Sequence, residues 1–425
     1  MNIPETDLPR VVVIGGGFGG NAFIRSLKGA DAQIVLIDRH NYHTFQPLLY
    51  QVSTASLEAD SIAYPLRKIF RNHKNFHFRL CTVEQINREQ RTVMTSIGSV
   101  QYDYLVIATG TRTNFFGNES IAQNSMPMKT IPQALNIRSL ILQNIEKADR
   151  AANLVDRKRL LTFIIAGGGP TGVELAGALA EFRKGILEHD YPELEKENME
   201  VHLVEGQDRL LGGMSEKVSK MAYKFLDQLG VNIHLSEFIK DYDGYTVTTS
   251  KGKVFETETF IWAAGVSGIQ IEGLNQDSWH ARAKRYQVDK FNRVLGTERI
   301  FAIGDIALMP TEAFPHGHPQ VAQPAIQQGK RLGSNFKRML KGKPMIPFKY
   351  KDKGTMATIG RNKAVADIGN LHVGGPFAWF LWIFVHLWFL VGFRNRVVTF
   401  FNWTYSYINH DKAARLIIRP FVKKQ

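Results

Sequence analysis

The glycines at 15, 17 and 20 stand in the pattern G-x-G-x-x-G within Gly15-Gly16-Gly17-Phe18-Gly19-Gly20. The first glycine of such a run permits a tight turn, the second lets backbone approach a pyrophosphate, and the third lets helix pack close on strand. A helix starting there offers phosphate its unpaired N–H groups and the positive end of its dipole. Asp38, 18 residues beyond Gly20, is placed to hydrogen-bond ribose hydroxyls. The logic repeats at Gly167-x-Gly169-x-x-Gly172, with Glu205 after it at a longer spacing. A carboxylate at 205 would accept adenosine ribose hydroxyls and repel a 2′-phosphate, favouring NADH over NADPH; Arg209 nearby could instead bind that phosphate. Two dinucleotide sites in one chain imply that one cofactor gives hydride and the other receives it. Cys81 is the only cysteine, which excludes a disulfide framework, a dithiol redox pair and a CxxC zinc site. A flavin is then the natural acceptor.

The elements that must position these residues are legible around them. Val11-Val12-Val13-Ile14 is a β-branched run of the kind buried on both faces of a parallel sheet, and it leads through the glycines into a helix past Ala22 and Leu27. Ile34-Val35-Leu36-Ile37 is the next strand, ending on Asp38. In the second copy, Thr162-Phe163-Ile164-Ile165 is the strand, Val173 to His189 the helix, and Val201-His202-Leu203-Val204 the strand ending on Glu205. Three further strands, Tyr104-Leu105-Val106-Ile107, Phe260-Ile261-Trp262 and Ile300-Phe301-Ala302-Ile303, run into the small-residue turns Ala108-Thr109-Gly110, Ala263-Ala264-Gly265 and Gly304-Asp305.

A chain of 425 residues, 44% hydrophobic and 22% charged, folds as two or three domains rather than staying disordered. Its net charge of +14 implies an anionic partner: nucleic acid, acidic lipid or phosphate-bearing cofactors. Nucleic acid is not expected, because no recognition motif is present and the cations are dispersed apart from the tail. His316 and His318 form an H-x-H pair without cysteine or a carboxylate cluster, which reads as a polar loop; no metal site is expected. Met1 to Asp7 has neither the cationic patch nor the apolar run of a secretory leader, so the chain is expected on the cytoplasmic side.

Residues 376–393 are almost all apolar and rich in Trp and Phe, ending at Arg394 and Arg396. As one helix they would measure about 27 Å, close to a bilayer core. His386 near the centre and the load of Trp argue instead for a helix lying in the interface. From Val397 to about Asn409 a second helix carries a polar stripe of Thr399, Asn402, Ser406 and Asn409 beside Phe401, Tyr405 and Ile408. Arg394, Arg396, Arg415, Arg419, Lys423 and Lys424 are expected to add roughly 1 kcal/mol each at an anionic lipid surface.

Taken together, the paired fingerprints, the turns at 108–110 and 263–265 and Ile303-Gly304-Asp305 resemble the two-dinucleotide-binding-domain flavoproteins. Within that group, Phe45-Gln46-Pro47-Leu48-Leu49-Tyr50-Gln51-Val52, the A-Q-x-A-x-Q run Ala322-Gln323-Pro324-Ala325-Ile326-Gln327 and the aromatic C-terminus closing on Gly392-Phe393-Arg394-Asn395-Arg396 resemble type II NADH:quinone oxidoreductases. The resemblance spans roughly residues 10 to 410. It implies an α/β chain with two Rossmann-like domains: an FAD-binding domain at 1–115 and 295–345 and an inserted NAD(P)H-binding domain at 116–294. A C-terminal amphipathic helical region at 346–425 would anchor the protein to one membrane face. It also implies non-covalent FAD held by Gly15, Gly17, Gly20, Asp38, Gly304 and Asp305, although an Asp after Gly can equally be a helix N-cap, with Phe18, Gly19, Ala108, Thr109, Gly110, Ala322 and Gln323 as further cofactor-binding residues. NADH would be held by Gly167, Gly169, Gly172 and Glu205, with Gly265 a further cofactor-binding residue. Glu174 would lie near the nicotinamide and quinone paths, although a Glu early in a helix can simply compensate the dipole. Gln323 and Gln327, one turn apart, would face the quinone head group. The protein would act as a peripheral homodimer on the cytoplasmic face of the cell membrane, passing electrons from NADH to a membrane quinone without proton pumping.

Three rivals stand against that reading. A sulfide:quinone oxidoreductase needs reactive cysteines that the chain lacks. A soluble reductase passing electrons to a protein acceptor has no use for the aromatic C-terminus. A non-catalytic NADH-sensing flavoprotein needs no quinone face.

Overall fold

The alternation of side chains along Arg10–Ile14 divides a core in two. Val11 and Val13 point into one cluster with Phe23, Leu36 and Phe336, while Val12 and Ile14 point into another with Ile37, Ile107 and Ala302. A strand that is apolar on both faces must lie inside a sheet covered on both sides. The sheet is parallel, in the order Ile300–Ala302, Tyr104–Ile107, Arg10–Ile14, Gln33–Asp38, Phe76–Leu80. The computed structural model describes residues 1–194, 199–409 and 414–422. These divide into two compact units, one of residues 1–43, 64–112 and 266–352, the other of residues 44–63, 113–265 and 353–425.

The helices used below, in chain order, are α1 (Phe18–Ser26), α2 (Leu49–Ser53), α3 (Pro170–Phe182), α4 (Glu216–Gln228), α5 (Ala322–Met339), α6 (Pro376–Phe389) and α7 (Phe393–Asn409). In the first unit α1 and α5 cover one face of the sheet. They approach closely because Gly329 and Gly333 of α5 leave room for the Gly19 carbonyl and for Ser26.

The second unit repeats the plan with a parallel sheet ordered Met126–Pro127, Thr259–Trp262, Thr162–Ala166, Glu200–Val204, Asn232–His234. The helix expected from Val173 to His189 is α-helical over Pro170–Phe182 and continues through a π-helical turn, Arg183–Leu187. This extension accounts for the long spacing from Gly172 to Glu205. An antiparallel sheet of Thr355–Thr358, Ala364–Ile368 and Leu371–Gly375 leads into α6 and α7.

Three expectations need correction. The unit borders differ from those read in the sequence: residues 266–294 join the first unit because Trp279–His280, Arg285–Gln287 and Ala307–Leu308 form one sheet, and residues 44–63 join the second. The apolar run 376–393 is not one helix. Leu390 is extended and Gly392 has φ +92°, so α6 stops at Phe389 and α7 begins at Phe393 rather than Val397. No helix among the described residues is long and apolar enough to cross a membrane. The third concerns His318, which is 3% exposed with Phe314, Phe348 and Tyr350 around its ring, so its loop is not simply solvated. No group of three or more metal-ligating side chains occurs among the described residues.

Candidate functional site

Each unit carries one glycine cradle, built in the same way. Gly15 has φ +106° and lies so close to the Ala108 carbonyl that a Cβ would overlap it. Gly167 has φ +107°, and a Cβ there would meet the Ala263 carbonyl at 2.7 Å. The turns 108–110 and 263–265 are thus the surfaces that require the first glycines. A Cβ on Gly20 or Gly172 would overlap the carbonyl of Gly15 or Gly167, so helix α1 or α3 starts directly on the turn. At Gly17 and Gly169, a Cβ would meet nothing within 4 Å among the described residues beyond the glycine and its immediate chain neighbours. These residues cap α1 and α3 without a side-chain bond, which leaves the helix N–H groups available to a pyrophosphate.

The acidic residues lock the cradles. Asp38 accepts the Gly16 amide at 2.6 Å and the His40 amide at 2.8 Å. Glu205 accepts the amide of Gly168, and that of Gln207 at 2.7 Å. A carboxylate has about four acceptor positions, so each retains capacity for ribose hydroxyls. Arg209 donates to the Gly212 carbonyl at 2.8 Å and lines an open cavity of about 820 Å³ with Gln207, Lys220 and Tyr223. His43, which sequence reasoning missed, lies within 3.1 Å of the Gly16 carbonyl and edge-on to Phe18. Burial pushes it down to about 4, so it is neutral and holds the turn as a hydrogen-bonding group.

In the first unit the cradle has company from α5. The Gly304 amide donates at 2.7 Å to Gln328 Oε1, a side chain 1% exposed that sequence reasoning also missed; the second glutamine of Gln327-Gln328 was its one signal. Asp305 accepts the Thr111 hydroxyl at 3.4 Å, and its carbonyl accepts Gln320 at 3.0 Å. Thr109 donates to the Ile269 carbonyl at 3.0 Å, fixing the 108–110 turn. Ala322 and Gln323 open α5 half-exposed, under a cap residue with no side-chain bond. Gln327 is occupied: its amide donates to the Lys351 carbonyl at 2.9 Å and accepts the Lys351 amide at 3.0 Å.

In the second unit the Gly265 carbonyl accepts the Asn114 amide at 3.0 Å, steadying the turn against Gly167. Glu174 is 7% exposed on α3. Burial raises its carboxyl to about 8, opposed by a hydrogen bond from the Thr358 main chain. The Trp382 indole N–H faces the same carboxyl without closing a full hydrogen bond. A neutral buried acid does not compensate a helix dipole. Gly177, one turn on, is what lets the 359–360 main chain come this near to α3.

Helix α6 buries Ala378, Trp382 and His386, four apart, and exposes Phe377, Phe380, Phe384 and Trp388 at 62–65%. His386 stacks on Trp382 with ring centres 4.0 Å apart and is pushed down to about 4 by burial. Thr399 of the expected polar stripe is buried, Asn402 is half-buried, and the side chains of Ser406, Ile408 and Asn409 lie outside the described residues. The cations do not stand free as expected. Arg394 pairs with Asp60 at 3.4 Å, Arg396 donates to the Leu390 and Trp388 carbonyls, Arg415 pairs with Asp190 at 2.6 Å, and Arg419 donates to Asn136 at 2.8 Å. Lys423 and Lys424 lie outside the described residues.

Comparison with known proteins agrees with this layout. Residues 9–329 match the pyridine nucleotide-disulphide oxidoreductase family, and residues 353–409 match the NDH2 C-terminal domain. A type II NADH:quinone oxidoreductase of Mycobacterium tuberculosis, Ndh, is 36% identical, the alignment covering 94% of this chain and 88% of that one. The type II NADH:quinone oxidoreductase of Haemophilus influenzae is 29% identical over 88% of this chain and 92% of its own. The structure of NDH2 from Plasmodium falciparum in complex with NADH shares the fold at a TM-score of 0.86 and 20% identity, covering 95% of this chain and 99% of that one. The sulfide:quinone oxidoreductase of Aquifex aeolicus is more distant, with a TM-score of 0.73 at 19% identity, covering 91% and 92%. The chain belongs to the type II NADH:quinone oxidoreductases, within the pyridine nucleotide-disulphide oxidoreductase family.

Proposed function

We propose that this chain oxidises NADH and reduces a membrane quinone through non-covalent FAD. The observation that carries the reading is the repeated cradle: two glycine turns, each locked by a strand-end carboxylate on its middle glycine. FAD, when bound, takes hydride from NADH and gives two electrons onward. Gly15, Gly17, Phe18, Gly19, Gly20, Ala108, Thr109 and Gly110 shape its pyrophosphate site, Asp38 takes the ribose, and Gly304, Asp305, Ala322 and Gln323 approach its far half. Gly167, Gly169, Gly172, Glu205 and Gly265 hold NADH. Glu174 holds a proton near neutral pH for the quinone half of the reaction, and the family resemblance assigns Gln323 to the quinone head group. Gln327 joins it there only through the Lys351 main chain that its amide clamps.

The exposed aromatic face of α6, together with Phe393, Phe400 and Phe401, supports attachment to a membrane surface, and the cytoplasmic face is the side this reading assigns. Aromatic burial dominates there, because Arg394, Arg396, Arg415 and Arg419 are engaged within the protein. A homodimer is the assembly that the family resemblance suggests. The test is direct: acid-denatured protein should release FAD to the supernatant, and the native protein should oxidise NADH only when quinone is supplied. Colour retained in the pellet, or NADH oxidation indifferent to quinone, would overturn the proposal.

A further inference from the structure

The strand Glu200–Val204 and its neighbour Asn232–His234 carry a polar chain that the reaction above leaves without a task. Lys253 Nζ lies 2.8 Å from His234 Nδ1, His234 Nε2 lies 3.1 Å from His202 Nδ1, and His202 Nε2 lies 3.0 Å from Glu200 Oε2. The directions are forced. An ammonium only donates, so His234 Nδ1 accepts and the His234 hydrogen sits on Nε2. That hydrogen goes to His202 Nδ1, and the His202 hydrogen goes from Nε2 to the carboxylate. Every link is filled when both rings are neutral. Burial keeps them so: it lowers His202, and with Lys253 beside it His234 is pushed down to about 4. The rings lie nearly coplanar, at 13°, and Phe255 packs against both.

The same ammonium reaches the segment that clasps Glu205. Lys253 Nζ also pairs at 3.2 Å with Glu237 Oε2, a carboxylate 1% exposed. The His234 carbonyl accepts the Glu205 amide at 2.8 Å, and the Glu237 amide donates to the Glu205 carbonyl at 3.0 Å. The two residues whose main chains hold Glu205 are therefore the two whose side chains share Lys253.

We propose that Lys253 and the His202–His234 pair are positioning residues for nucleotide binding: they pin residues 234–237, which fix where the Glu205 main chain stands and so where its carboxylate meets the ribose. The inference rests on the reading of Glu205 as the ribose acceptor given above, and adds what holds that acceptor in place. The Glu205 carboxylate is already engaged by the Gly168 and Gln207 amides. A shift of its main chain therefore displaces the remaining acceptor position and strains the glycine turn together. Glu200, paired with Lys158 at 3.3 Å, anchors the far end of the chain. Removing Lys253 strands the buried Glu237 carboxylate without its cation, which is costly in itself. Substitution at the histidine end is the cleaner probe.

The test uses the full-length protein with its flavin and follows the NADH half-reaction by anaerobic stopped-flow. His202→Phe keeps a ring beside Phe255 but cannot accept from His234. In it the NADH concentration giving half the limiting rate of flavin reduction should rise about three- to tenfold, the scale of one net hydrogen bond. The limiting rate and reoxidation by quinone should stay within about twofold of wild type, as expected for a change in binding alone. The preference for NADH over NADPH should narrow. His234→Gln, whose amide accepts from Lys253 and donates to His202, should stay closer to wild type. Lys253→Met combined with Glu237→Gln, which leaves no buried charge unpaired, should match His202→Phe or exceed it. In a Glu205→Gln background the His202→Phe effect should shrink to about half or less, because both changes act through one carboxylate. Effects that multiply independently, or a lowered melting temperature with NADH half-saturation unchanged, would make the pair a packing feature and overturn the positioning role alone. If Glu205→Gln by itself leaves NADH half-saturation and the NADH-over-NADPH preference at wild-type values, the underlying reading of Glu205 fails and the proposal with it.

Discussion

Asp38 Oδ2 accepts the Gly16 amide at 2.6 Å, so the acid at the end of one strand clamps the middle glycine of the turn on the neighbouring strand. Glu205 holds Gly168 in the same way in the second unit. The carboxylate proposed to read a ribose is thus also a strut of the glycine turn.

Glu205 should decide the nucleotide. In Glu205→Gln the gap between NADH and NADPH, read as kcat/KM, should narrow by about 1–2 kcal/mol, the worth of one hydrogen bond to a charged group. A wild type that already prefers NADPH would hand control of the site to Arg209, which lines the cavity beside it.

The two cradles should fail independently. A Cβ at Gly172 overlaps the Gly167 carbonyl, and one at Gly20 overlaps the Gly15 carbonyl. Forcing such an overlap typically costs about 1–3 kcal/mol. Gly172→Ala should raise the KM for NADH while the protein stays yellow; Gly20→Ala should shed flavin during purification. Equal flavin loss in both would show that the glycines serve folding rather than separate ligands.

Glu174 should make stability fall as pH rises. Its carboxyl is raised to about 8, so between its unfolded value, near 4.5, and 8 the native state binds a proton that the unfolded state has lost. The stabilisation is complete below the lower value and gone above the upper. Glu174→Gln should remove this slope, so that the difference in melting temperature from wild type changes steadily between these limits. A constant difference would mean that Glu174 is already ionised in the fold.

Membrane binding should resist salt. Phe380 and Trp388 are 62% and 65% exposed on one face of α6, while Arg394, Arg396, Arg415 and Arg419 have partners within the protein. High salt should release little protein from vesicles, whereas Phe380→Ser with Trp388→Ser should weaken partitioning by about 1.5–3 kcal/mol per side chain. Full release by salt alone would mean that charge, rather than aromatic burial, holds the protein to the bilayer.

How much of this was legible in the sequence depends on how local each requirement is. Gly15, Gly20, Gly167 and Gly172 announce themselves because the clashes that demand glycine arise within a turn and the strand beside it. Asp38 and Glu205 follow from strand length. The burial of Glu174 was not legible, since Thr358 and Trp382 reach it from two distant stretches of chain. Nor was the engagement of the C-terminal arginines, because Asp60 and Asp190 carry no sequence mark that pairs them with residues 394 and 415. The break in the apolar run at 390–392 was signalled by Gly392, but a single glycine is a weak stop signal inside continuous hydrophobicity.

Anaerobic stopped-flow of the two half-reactions tests the central claim most directly. NADH should bleach the flavin absorbance, and a quinone mixed in afterwards should restore it, with Gln323→Ala slowing the second step and sparing the first. Flavin that NADH reduces but quinone fails to reoxidise would contradict the account.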